Sequence, residues 1–435
     1  MNWKEIYKSR LATPEEAIKF IRPGDKIVVA HGPAAPDPIL QAMVDNKFAF
    51  KDVQISHMLT FGDKPYADEE LDPHFHLNVF FVGDKTRTII NKGIGDFTPT
   101  HFSEIPYVLR NVIKPDVTLI QVSKPDEHGY VSLGLSVDYS LPSARISRTV
   151  IAEVNDKCPR TFGDSFLHVS EIDCFVETSR QVFEYIPVEI GEKEKTIGNY
   201  CAELINDGDC LQLGMGAIPD AVLGSLMDKK DLGVHSEIIG DPIIDLIEAG
   251  VINGTKKTLH VGKVVVTSIF GTRKLHQYVD NNPVFELYPV DYTNDPCIIA
   301  KNANMVSINS CVQVDFMGQI CSEAFGAIQY SGIGGQQDFM RGAKMSKGGK
   351  GIITFYSTAK NDSISRIVPM MEAGTPITAA RTDVDYLVTE YGIASLRGQT
   401  LKNRAKSIIK ISHPKFKDGL EEAFENMIFM QGKNY

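Results

Sequence analysis

The chain has 435 residues, 43% of them hydrophobic and 23% charged, a globular balance long enough for two domains of roughly 200 residues each. A formal net charge of −10 speaks against a nucleic-acid surface, while leaving room for a local basic pocket around an anionic ligand. Seven cysteines without a C-x-x-C pair read as reduced thiols, no run of about eighteen apolar residues offers a membrane span, and no apolar leader follows Met1-Asn2-Trp3-Lys4-Glu5, so a cytoplasmic protein is expected.

Thr13-Pro14-Glu15-Glu16 opens a helix, with Thr13 as its cap, Pro14 at the first position and Glu16 closing a capping box. That helix ends before Pro23-Gly24, where Gly24-Asp25-Lys26-Ile27-Val28-Val29-Ala30-His31-Gly32 leads to Pro36-Asp37 and Ile39-Leu40. The same pattern returns far downstream as Gly208-Asp209-Cys210-Leu211-Gln212-Leu213-Gly214-Met215-Gly216, leading to Pro219-Asp220 and Val222-Leu223. Each copy is a Gly-Asp turn, a short apolar strand, a loop of small residues and a Pro-Asp entering an apolar helix. Between the copies, residues 79–82, 117–122 and 149–152 read as buried strands, and Lys124-Pro125-Asp126 with Gly129 turns the chain into a further one. The charged stretch at 190–195 is the candidate linker. After the second copy, strands at 264–269, 305–308, 313–314 and 352–355 alternate with helical segments, Cys210, Cys311 and Cys321 sit among apolar residues as core packing, and 401–409 and 420–429 have helical spacing. The expected fold is α/β: two similar tandem open α/β lobes with mainly parallel sheets, 1–190 and 195–435, with the active site in a cleft at their interface.

Three segments offer chemistry. Gly214-Met215-Gly216-Ala217-Ile218 lets a ligand approach the backbone at a helix N-terminus, although it is neither a Rossmann fingerprint nor a P-loop. His235-Ser236-Glu237-Ile238 falls where a strand should end, and a carboxylate there suits a base or a nucleophile. Ser103-Glu104-Ile105 and Ser170-Glu171-Ile172 repeat that tripeptide, and spacing does not choose among the three. Ser331-Gly332-Ile333-Gly334-Gly335-Gln336-Gln337-Asp338-Phe339 offers consecutive backbone N–H groups for an oxyanion, whereas Lys347-Gly348-Gly349-Lys350-Gly351 reads as a solvated basic turn. No metal site is expected, since the eleven histidines, among them His57, His74, His76 and His101, lack ligand spacing, and no G-x-S-x-G elbow is present.

Taken in order, Leu213-Gly214-Met215-Gly216-Ala217-Ile218-Pro219-Asp220, His235-Ser236-Glu237, Val314-Asp315-Phe316-Met317-Gly318-Gln319, Gly334-Gly335-Gln336-Gln337-Asp338-Phe339, Val388-Thr389-Glu390-Tyr391-Gly392, Arg404-Ala405 and Ser412-His413-Pro414 resemble the class I CoA-transferases of the acetyl-CoA hydrolase/transferase branch, over essentially the whole chain. The resemblance implies acyl-CoA bound between two lobes and a catalytic glutamate at Glu237, not at Glu104 or Glu171. It implies a CoA site lined by Gly214, Met215, Gly216, Ala217 and Ile218, with Asn309, Gly334, Gly335 and Lys360 as further contacts; Met215 stands where relatives often have Ile. The implied activity exchanges CoA between a short-chain acyl-CoA and a carboxylic acid such as acetate, butyrate or 4-hydroxybutyrate, by ping-pong chemistry through a glutamyl-CoA thioester. No cofactor is permanently bound on this reading; acyl-CoA and short-chain acids are the partners, nucleic acid and membrane are not, and a homo-oligomer is expected. The alternatives are an acyl-CoA hydrolase and a non-catalytic acyl-CoA-binding regulator.

Overall fold

The computed structural model of the chain describes residues 2–62 and 65–427. These residues pack into two units. One comprises Met1–Ile186, Ser236–Ile244 and Lys263–Asp295, the other Pro187–His235, Asp245–Gly262 and Pro296–Tyr435. The chain therefore changes unit at 186/187, and two later segments, the first of which holds Glu237, return to the first unit. Residues 190–195 are not a linker. Gly191 caps the helix Glu192–Leu204, and Glu192 and Glu194 lie in its first turn, where carboxylates favour the positive end of the helix dipole.

The first unit is built on seven parallel strands in the order Cys174–Thr178, Thr149–Asn155, Val117–Val122, Lys26–Val29, Val53–His57, Phe75–Val79, Asp96–Phe97. Val117–Val122 and Thr149–Asn155 are buried at every position, the pattern of a parallel sheet covered on both faces. The expected strand at 79–82 is displaced: it runs from Phe75 to Val79, and Phe80 owes its apolarity to a core cluster with Met58, Phe102 and Tyr139. Val264–Val266, Phe285–Leu287 and Phe162–Gly163, also in the first unit, pair in parallel in that order. The second unit carries the strands Gly392–Ser395, Tyr386–Thr389, Lys350–Thr354, Met305–Ser310, Cys210–Leu213 and Gly233–His235, parallel except for the hairpin at the first edge. Helices Leu401–Lys410 and Pro414–Glu425 pack on this unit's core through Ile408, Ile409, Leu420 and Phe424; residues 428 and 429 of the expected tail helix lie outside the described residues. Among the described residues no helix is long and apolar enough to cross a membrane.

The duplicated segments take equivalent places in the two sheets. Lys26–Val29 lies between Val53–His57 and Val117–Val122, and Cys210–Leu213 lies between Gly233–His235 and Met305–Ser310. The likeness extends to the turns. The Asp25 carboxylate accepts from Arg22 N–H at 2.8 Å and the Asp209 carboxylate from Asn206 N–H at 2.9 Å. Each buried aspartate also meets a cation at the start of the next strand but one: Arg148 at 2.8 Å from Asp25, and Lys350 at 3.2 Å from Asp209. Lys347 and Gly348 form the exposed turn expected there, whereas Lys350 also donates to Leu204 O at 2.7 Å and ties the end of the segment to its unit. The copies differ at the helix entrance. Asp37 opens its helix (Asp37–Asp45), whereas Pro219 and Asp220 lie inside Ala217–Gly224, because the second helix starts directly at Gly216.

Candidate active site

Glu237 lies two residues beyond the strand Gly233–His235, at its carboxyl end, the side on which open α/β sheets hold ligands. Its main chain is pinned, since the N–H groups of Thr267 and Ser268 both donate to Glu237 O at 3.1 Å. That double donation is also why the expected strand at 264–269 breaks into Val264–Val266 and Ser268–Ile269. The side chain is half-buried, and Asn294 Nδ2 donates to Glu237 Oε2 at 2.7 Å. Asn294 is fully buried at the end of the helix Val290–Thr293. A charge-assisted bond from a buried, helix-anchored amide fixes the direction of the carboxylate. The rival glutamates lie in other surroundings: Glu104 is exposed, and Glu171 uses its carboxylate to cap a helical turn, accepting from His168 N–H at 2.7 Å. If Glu237 is the reacting group, Asn294→Ala is expected to lower its rate of reaction by about 10–100-fold, because the carboxylate stays and only its aim is lost; kinetics on the purified variant check this.

The second unit holds the glycine segments. Gly216 has φ 114° and ψ 179°, a region open essentially to glycine alone, although a Cβ there meets no atom within 4 Å. The backbone conformation, not crowding, therefore requires glycine. It brings the chain from the strand Cys210–Leu213 straight into the helix Ala217–Gly224, leaving first-turn N–H groups without helical partners. Gly214, Met215, Gly216 and Ala217 are partly exposed and Ile218 is buried. Asn309, on the adjacent strand, donates through Nδ2 to Gln212 Oε1 at 2.9 Å and to Ser307 Oγ at 2.9 Å, so its amide braces the strand that delivers the glycine loop. Gly334, with φ 58°, and Gly335 are buried and open the ten-residue helix Gln336–Met345, a concentration of N–H groups at a helix N-terminus suited to an anion. Lys360 is exposed, on the turn between Thr358–Ala359 and Ile364–Ser365. With Lys193 and Arg366 it lines a pocket of about 420 Å³ that also meets Tyr356 and Thr358.

Several motif residues are structural. Asp315 accepts from the N–H groups of Met317 at 3.0 Å and Gln319 at 2.9 Å, and burial pushes its pKa up. Arg404 donates to Met317 O and Arg381 O, with its pKa lowered by burial and the neighbouring Arg381. Glu390 accepts from Ser357 N–H and Oγ, and His413 caps the last helix. Among the described residues no cluster of His, Cys, Asp and Glu is arranged to hold a metal ion. Of the histidines, His76 bridges Asp72 and Asp96, and His57 packs against Tyr66.

A model of the acetyl-CoA hydrolase/transferase N-terminal domain matches residues 1–187, and one of the C-terminal domain matches residues 271–424. The chain belongs to the acetyl-CoA hydrolase/transferase family. Among its relatives, the 4-hydroxybutyrate coenzyme A transferase of Clostridium kluyveri is 52% identical over 98% of this chain and 99% of its own. Two solved structures of similar extent share the architecture. The 4-hydroxybutyrate CoA-transferase of Porphyromonas gingivalis has 42% identity and a TM-score of 0.85, covering 97% of this chain and 98% of its own. RipA of Yersinia pestis has 36% identity and a TM-score of 0.93, covering 98% and 99%. In this family member, residues 188–270, which hold both the Gly214–Gly216 loop and Glu237, fall between the two matched domain segments. Asn294 is the site residue that sequence reasoning missed: it is 57 positions from Glu237 and carries no local motif.

Proposed function

We propose that the chain is a CoA-transferase that moves CoA between a short-chain acyl-CoA and a carboxylic acid by way of a covalent intermediate on Glu237. The observation that carries this reading is the half-buried Glu237 carboxylate, held at 2.7 Å by a fully buried asparagine amide at the carboxyl end of a parallel strand. The transferase relatives support the choice of substrate class: acyl-CoA on one side, and acetate, butyrate or 4-hydroxybutyrate on the other.

A Glu237 carboxylate oxygen attacks the thioester carbonyl, the C–S bond breaks and CoA leaves as its thiolate, which gives a mixed acyl-glutamyl anhydride. The thiolate then attacks the glutamyl carbonyl. The bond from the glutamyl carbonyl carbon to the bridging oxygen breaks, the first acid leaves with that oxygen as its carboxylate, and a glutamyl-CoA thioester remains. A second carboxylate runs the two steps backwards, which gives ping-pong kinetics. Each addition builds an oxyanion, for which the Gly334 and Gly335 N–H groups are the donors; one donor of that kind is worth about 3–4 kcal/mol. The Gly214, Met215, Gly216, Ala217 and Ile218 segment, braced by Asn309, receives CoA, and Lys360 meets its phosphates with a charge-assisted contact. Because a carboxylate is a poor nucleophile in water, positioning must supply much of the rate, on the order of 7–11 kcal/mol where the geometry is right.

The test is a borohydride trap: incubate the protein with butyryl-CoA and no acceptor acid, reduce, and map the modified peptide by mass spectrometry. Acyl-CoA-dependent reduction of Glu237 to its alcohol supports the thioester. An unmodified Glu237 in protein that turns over acyl-CoA overturns the reading, and turnover that ignores added carboxylate marks a hydrolase instead.

A further inference from the structure

We propose that Asp138 is the positioning residue for Glu237, fixing its main chain and its carboxylate at once through two separate hydrogen-bonded arms. This rests on Glu237 being the nucleophile proposed above. Asp138 is fully buried, and its carboxylate gathers an unusual set of donors. Oδ2 accepts from His31 Nδ1 at 2.9 Å, from Ser268 Oγ at 3.0 Å and from Ser136 Oγ. Oδ1 accepts from Tyr139 N–H at 2.6 Å, from Ser140 N–H at 3.1 Å and from Ser140 Oγ at 3.0 Å. Burial works to raise the pKa of this group, but His31 and the hydroxyl donors outweigh it and hold the pKa below the ordinary value, so the node stays ionised.

The first arm is short. Ser268 donates its Oγ to Asp138 and its own N–H to Glu237 O, so one serine links the buried carboxylate to the main chain of the reactive residue. The second arm leaves from the other end of Asp138. Its carbonyl accepts from Val290 N–H at 3.1 Å, at the start of the helix Val290–Thr293. Asn294 N–H closes that turn on Val290 O at 2.9 Å, and its Nδ2 reaches the Glu237 carboxylate. A carboxylate has the lone pairs to hold this many donors in fixed directions, and a neutral side chain of the same size does not. The loop of the first sequence copy joins the same node: His31 stands where the second copy has Met215 and is enclosed edge-on by Phe102 and Phe270. In the first unit, then, the duplicated loop supports the nucleophile through Asp138.

A purely structural aspartate would cost stability when changed and leave the chemistry of folded protein alone. The experiment compares Ser268→Ala and Asp138→Asn with Thr118→Val. Thr118→Val removes buried hydrogen bonds to Ser143 and Ser147 elsewhere in the same unit. Measured for each are kcat, acyl-CoA KM, the thermal midpoint and the rate of borohydride-trapped labelling at Glu237. Ser268→Ala keeps the backbone N–H to Glu237 and loses only the hydroxyl's contacts within the node, to Asp138 at 3.0 Å and to Ser136 Oγ at 3.1 Å. It and Asp138→Asn are expected to lower kcat and the labelling rate by about 10–100-fold, with KM within about threefold of the parent. Thr118→Val should lower the midpoint and spare both rates. The proposal is overturned by folded Ser268→Ala that labels and turns over like the parent, or by losses that merely track the midpoint as in Thr118→Val. Should Asp138→Asn fail to fold, Ser268→Ala decides alone. Parent enzyme that turns over without label at Glu237 overturns the nucleophile assignment instead, a result distinct from normal labelling in the serine variant.

Discussion

Glu237→Gln is expected to abolish CoA transfer, with kcat down on the order of 10⁴-fold or more, equivalent to about 5 kcal/mol of barrier. The substitution is nearly isosteric, and the environment tolerates it. A glutamine carbonyl can still accept from Asn294 Nδ2, the bonds from Thr267 and Ser268 go to the main chain, and the site is half-buried rather than sealed. The thermal midpoint should therefore stay near that of the parent while the chemistry fails, since an amide does not form the anhydride. Kinetics with butyryl-CoA and acetate, alongside intact-mass measurement to exclude deamidation back to glutamate, make the comparison. Near-parental transfer by verified glutamine protein would remove Glu237 from the mechanism. A comparable loss in Glu104→Gln or Glu171→Gln would show that its location had been misjudged.

How far the sequence reveals this site depends on the range of the interactions involved. The duplicated Gly-Asp turn is legible because its physics is local: glycine with positive φ at Gly24 and Gly208, a carboxylate accepting an N–H three residues back, then an apolar strand. The two copies consequently take the same place in their sheets. Glu237, by contrast, shares its tripeptide with Glu104 and Glu171, and residues alone do not separate a capping carboxylate from one gripped by a buried amide. That distinction is made by Asn294, Ser268 and Asp138, which lie far away along the chain and are brought in by sheet topology. Charge patterning reads exposure better than role. Lys193, Lys195 and Lys347 are exposed, as their surroundings suggest, yet 192–195 opens a helix, and Lys350 reaches back to Asp209 and Leu204 because a lysine stem can carry its ammonium to a partner that no short window contains.

The largest stability effect is expected at Arg180, which the sequence does not single out. Its guanidinium makes a forked contact with Glu153, Nε to Oε1 at 2.7 Å and Nη2 to Oε2 at 2.9 Å, and Glu153 is fully buried on the strand Thr149–Asn155. The same guanidinium donates to Ala35 O at 2.8 Å and pairs with Asp37 at 3.0 Å, closing the loop of the first copy. Burial alone would lower its pKa, but the bond to Glu153 more than reverses this and raises it. Removing one partner of such a pair leaves a buried carboxylate whose remaining donor is Thr178 Oγ1 at 2.7 Å, too little to replace a cation. Arg180→Ala is accordingly expected to destabilise the protein by about 3–5 kcal/mol in chemical denaturation. The cost belongs to the stranded charge and not to the lost attraction, so the double variant Glu153→Leu/Arg180→Met should be markedly more stable than Arg180→Ala. A single variant within about 0.5 kcal/mol of the parent would mean that water or a rearranged neighbour satisfies Glu153. A double variant no better than the single would locate the cost in the released 35–37 loop, which Arg180 holds independently of Glu153.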